Sequence, residues 1–255
     1  MGDQLTQPAA EVAPGLTQMQ RVINMYAAPS KTFLDIKNGN RSWWLPFLIT
    51  VLCGGFLWFA IYSQVSWKTV YENQQKLAPE FAKRMMEQMP PEQRAAADAR
   101  GPKTQAITWA LSPIGLLLYD LILALILWPT INFGFGGKAS YGSILAVIMY
   151  AGLVLWPIRL LLGGVALFAG AAPDGFNVGN PAPTNLAAFL NQADTNKALY
   201  VVLSALDAPT IWCLIVTSIG VAIVAGAKRS SGYIAVFGWW ILVTLVFVVF
   251  AAITG

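Results

Sequence analysis

Three ionisable residues stand inside long apolar runs of this 255-residue chain: Asp120, Arg159 and Asp207. A charge at the centre of a bilayer costs at least ~2.5–3.5 kcal/mol, so each must find a partner or serve a function. Helix rise, about 1.5 Å per residue, sets their depths. Counted from the polar stretch 172–197, Arg159 lies roughly 15–18 Å back along its run and Asp207 roughly 12–15 Å along the next. The two are expected to pair, while Asp120, several ångströms deeper, is left to be protonated, solvated or functional. The three form an intramembrane polar cluster. It suits either a structural bridge between helices or a site for an ion, a proton or a lipid headgroup.

The chain has no histidine, which removes Ser–His and Cys–His nucleophilic chemistry, imidazole metal sites and histidine relays. Cys53 and Cys213 both fall in apolar runs and read as small buried hydrophobes, not as a disulfide or metal pair. Gly136-Gly137-Lys138 does not complete a phosphate loop, because the first glycine of GxxxxGK would fall on Asn132. No catalytic residue, cofactor or metal is expected, and the chain reads as a non-enzyme.

The elements that position these residues are membrane helices. The chain is 56% hydrophobic and only 11% charged, against about 25% charged in soluble domains. Apolar runs at 43–62, 107–133, 141–171, 198–227 and 233–253 each approach or exceed the ~20 residues that cross a bilayer. The expected fold is all-α: a polytopic bundle of five transmembrane spans with short interfacial and extramembrane helices. The second and third runs, joined through the glycine turn Gly134 to Lys138, are antiparallel neighbours. Pro113, Pro129 and Pro157 predict kinks there. In the fourth run Ser218, Ala222 and Gly226 form a small-residue face on which another helix can approach closely.

Residues 1–42 form a segment ahead of the membrane domain 43–255. Its first 14 residues are rich in Pro, Gln and Ala and read as disordered. The 42 residues together lack the pattern of a signal peptide. Leu16, Met19, Ile23 and Tyr26 then recur at helical spacing. A second short helix follows Pro29, with Lys31, Lys37 and Arg41 on its polar side, in the headgroup layer or packed on the bundle. Residues 64–105 carry seven Lys/Arg and five Asp/Glu, a solvated pair of helices broken at Pro90–Pro91. Lys138, Lys228 and Arg229 share a side with Lys31, Lys37 and Arg41, which places the N-terminus in the cytoplasm. The net charge of +4 suits an anionic lipid surface and argues for no nucleic acid. The expected partners are the lipid bilayer and other proteins, soluble or membrane-bound, a second copy of the chain included.

Three stretches carry a resemblance: Ala28-Pro-Ser-Lys-Thr-Phe-Leu-Asp-Ile-Lys37, Ser42-Trp-Trp-Leu-Pro-Phe-Leu48 and Phe135-Gly-Gly-Lys-Ala-Ser-Tyr141. With the five-span plan and the long polar connection after the first span, the chain resembles the Yip family. These are five-span membrane proteins that interact with Ypt/Rab GTPases, and the likeness is strongest to the prokaryotic branch. The resemblance implies a cytosolic N-terminus, an all-helical bundle and, here, a prokaryotic inner membrane. In eukaryotic members it implies vesicle traffic through GTPase and partner contacts. The Asp-Leu-Tyr-Gly-Pro stretch of those members is absent. The function it favours is a scaffold or partner-binding factor in membrane organisation or trafficking; the alternative is a transporter or channel for a small molecule, ion or lipid using the Asp/Arg cluster.

Overall fold

The computed structural model describes residues 15–192 and 194–254; the stretch 1–14, read above as disordered, lies outside them. Among the described residues the fold is all-α. Two short helices come first, α1 (Gln18–Ala27) and α2 (Pro29–Lys37). Thr17 and Gln20 close a capping box at the start of α1, which satisfies two amides that have no partner inside the helix. Pro29 opens α2, where its fixed φ is already helical. The first span is α3 (Trp44–Gln64), and α4 (Trp67–Lys76), α5 (Glu80–Glu87) and α6 (Pro91–Ala110) form the polar excursion.

The second span is α7 (Ser112–Pro129) extended by a π-turn at Thr130–Gly134. It begins five residues later than the apolar run implied, because 107–110 still belong to α6 and the chain bends at Leu111. The third span comprises α8 (Tyr141–Ala151), a 3-10 turn at Gly152–Val154 and α9 (Trp156–Phe168). The fourth apolar run is two helices, α10 (Lys197–Ala205) and α11 (Ala208–Ala225), and α12 (Arg229–Thr254) is the fifth span. Among the described residues, five helical segments are thus long and apolar enough to cross a membrane.

The middle of the bundle is α8, whose residues Ser143 to Ala151 are all buried. It packs against α7, α11 and the α1–α2 pair, while α9 packs on α3, and α12 packs on α10 and α11. Asn132 closes the glycine turn by pairing with the Ala139 backbone, amide to carbonyl and carbonyl to amide. Gly137 passes so close to Ala225 that a side chain there would meet its Cβ at 2.9 Å.

The α1–α2 pair is a helical hairpin packed against α8 and α11. The Tyr26 hydroxyl donates to the Leu153 carbonyl at 2.8 Å. Leu153 lies twelve residues into the third span, about 18 Å along it. Its carbonyl needs that donor because residue 157, which would supply the helical amide, is proline. The apolar positions Met19 and Ile23 point outward and are exposed, Tyr26 is half-exposed with its hydroxyl turned to the bundle, and Arg21 and Met25 turn inward and are buried. That arrangement reverses a water-soluble amphipathic helix and fits a segment whose outer face meets lipid.

Candidate functional site: an unpaired acid in a lateral cavity

Asp207 sits where α10 breaks from α11, as the N-cap of α11. Its carboxylate accepts from the Thr210 amide at 2.9 Å, from the Thr210 hydroxyl at 2.6 Å and from the Thr184 hydroxyl. The segment bearing Thr184 is tied down by the Ala208 amide donating to the Thr184 carbonyl. An acid at a helix N-terminus is stabilised by the free amides and the positive end of the helix dipole. Asp207 is 1% exposed and has no need of a guanidinium.

The expected Arg159–Asp207 ion pair is therefore not formed. Arg159 is half-buried on α9, and among the described residues its guanidinium makes no ion pair or hydrogen bond. The break at Leu206–Asp207 also places Asp207 at the head of the 18-residue span α11, not deep inside a continuous one. Asp120, Arg159 and Asp207 are not joined into a single cluster by ion pairs.

Asp120 stands apart from both. It is 6% exposed on α7, about 12 Å from one end of its span and about 15 Å from Thr130. Among the described residues its carboxylate makes no hydrogen bond or ion pair. It lines a cavity of about 230 Å³ between α7 and the α11–α12 pair, with the α8–α9 junction as floor. Thr210, Cys213 and Thr217 of α11 and the indoles of Trp156, Trp239 and Trp240 share the wall. One end is closed by the Trp239 indole N–H donating to the Thr130 hydroxyl at 3.0 Å. The half-exposed Tyr119, Ile122 and Val243 also line it, so it opens sideways between α7 and α12. A second, wider cavity of about 460 Å³ flanks the other side of α7, lined by Gly54 and Gly115 and sharing Tyr119 and Trp156 with the first.

The small-residue face is divided by the structure. Ser218 and Ala222 receive Gly232 of α12, where a Cβ would collide with the Ser218 carbonyl and come within 3.0 Å of the Ala222 Cβ. Gly226 instead ends α11 in the left-handed conformation, φ 64°, which glycine adopts without steric cost.

A charged pair that sequence reasoning missed lies in the hairpin. Arg21, 4% exposed, meets Asp35 at 3.4 Å. Its Nη1 donates to the carbonyls of Asn40 and Ser42, and the guanidinium lies 5.4 Å from the centre of the buried Tyr150 ring. Asp35 also accepts from the Leu16 amide and from the Asn40 side chain. Fourteen residues and a helix break separate the two charges, so no local spacing joins them. The only signal was an arginine on a helix already carrying an apolar stripe.

A match to the Yip1 domain runs over residues 23–251. The chain belongs to the Yip1 domain family. None of the curated proteins and none of the solved structures compared with it matches. The Yip1 domain match takes in α2, all five spans and the polar excursion, so Asp120, Arg159, Asp207 and Asp35 lie inside it, while Arg21 stands just ahead.

Proposed function

We propose that this Yip1-domain chain is a non-enzymatic membrane scaffold that holds partner proteins at the bilayer through its polar excursion. The observation that carries this is the state of α5 and α6, which bury no residue. On α5, Phe81 and Met85 stand one turn apart at 48% and 59% exposure, an apolar pair presented to a neighbour. Inside the bundle, by contrast, Arg21, Asp35 and Asp207 are occupied in holding elements together. The cluster of Lys37, Arg41, Lys138, Lys228 and Arg229 on the N-terminal side supports a cytoplasmic N-terminus. The excursion then lies on the opposite side, and the family resemblance favours a prokaryotic inner membrane.

A photo-crosslinking residue placed at Phe81 or Met85 of the full chain in native membranes tests the proposal. The expected result is a discrete adduct; one of twice the chain's mass would identify a second copy as the partner. Absence of any adduct at both positions would contradict it. The competing reading, transport, rests on the cavity at Asp120. It requires solute flux in proteoliposomes that is lost in Asp120→Asn.

A further inference from the structure

Asp35 and Asp207 each accept several hydrogen bonds. Asp120, equally withdrawn from solvent, accepts none among the described residues and borders an apolar cavity. We propose that this cavity binds the ammonium group of a membrane-soluble amine, whose alkyl chain lies between α7 and α12. Five observations select that chemistry. The carboxylate has no cationic partner of its own among the described residues, so it supplies the counter-charge and repels anions. The indoles of Trp156, Trp239 and Trp240 border the same space, and a desolvated cation over an indole face gains ~2 kcal/mol.

The two threonine hydroxyls facing the cavity are committed as donors. Thr217 donates to the Cys213 carbonyl and Thr210 to the Asp207 carboxylate, which leaves lone pairs for the ligand. An ammonium is donor-only and is matched by these lone pairs together with the Asp120 carboxylate. Size agrees as well. The space of about 230 Å³ equals some seven to eight waters at ~30 Å³ each, room for an amine and its first methylenes. The way in is sideways, past Ile122 and Val243, so the ligand arrives from lipid.

The test uses the full chain in nanodiscs with two photoreactive probes of one alkyl length, an alkylamine and the matching alkanol. The amine is expected to label the strip around Ile122 and Val243 more than about tenfold over the alcohol, tenfold being ~1.4 kcal/mol of charge-dependent binding. Asp120→Asn should abolish that preference and Asp120→Glu retain it. Should Asp120→Asn not fold, the unaltered chain still decides the matter: unlabelled octylamine, but not octanol, should displace the label. Equal labelling by both probes, equal displacement by both competitors, or a preference that survives in folded Asp120→Asn would overturn the proposal. Repeating the amine experiment in discs with and without phosphatidylethanolamine identifies the source. Competition by that lipid supports an ammonium headgroup as ligand; no competition supports a free amphiphilic amine.

Discussion

A guanidinium withdrawn from water must recover in the fold what it gave up in solvation, and Arg21 shows how many contacts that takes. It holds one carboxylate, two backbone carbonyls and an aromatic face. Removing one partner of such a pair leaves an uncompensated buried charge, at a cost of about 3–5 kcal/mol, whereas replacing both with apolar groups is often neutral. Arg21→Ala is therefore expected to lower stability by that amount and release the hairpin, read as a fall in the unfolding midpoint in detergent. The double variant Arg21→Met/Asp35→Leu should recover most of the loss. A midpoint unmoved by Arg21→Ala would mean that the pair does not anchor the hairpin. Asp207 makes the complementary point, since hydroxyls and an amide stand in for the expected arginine.

At the scale of elements, hydropathy located the spans and missed how they are interrupted. An apolar run reads alike whether it is one helix or two, so the break at Leu206–Asp207 was hidden within continuous hydrophobicity. Pro157 did predict a disturbed third span. What it could not tell was that Tyr26, more than a hundred residues earlier, would supply the missing donor. The apolar stripe of α1 was legible, but its direction was not, because period alone does not say whether the solvent outside is water or lipid. Close approach is likewise set by the partner helix. Gly232 abuts the Ser218 carbonyl, whereas Gly54 and Gly55 of α3 border open space. Gly232→Ala is expected to push α12 from α11 and cost ~1–3 kcal/mol. Gly54→Ala should cost nothing and can gain up to ~1 kcal/mol of helix propensity. Equal unfolding midpoints for the two variants would contradict this packing.

For the whole molecule, the five-span all-helical plan was readable from composition and run length, since few structures satisfy their backbone inside lipid. The Asp120 site was half readable. Its rarity marked it, but its isolation from Arg159 and its lateral cavity depend on how far α7 stands from α12. A scaffold with a lipid-side pocket and a transporter differ in one respect above all: in the scaffold, the space at Asp120 communicates with lipid and has no water path. Cysteine accessibility at this position distinguishes the two. In a background with Cys53→Ala and Cys213→Ala, Asp120→Cys should resist a membrane-impermeant maleimide applied from either side, while Ser42→Cys and Gln192→Cys, at opposite ends of the bundle, react. Modification of Asp120→Cys by the impermeant reagent from one side would reveal an aqueous path to the midplane and contradict the lipid-side pocket.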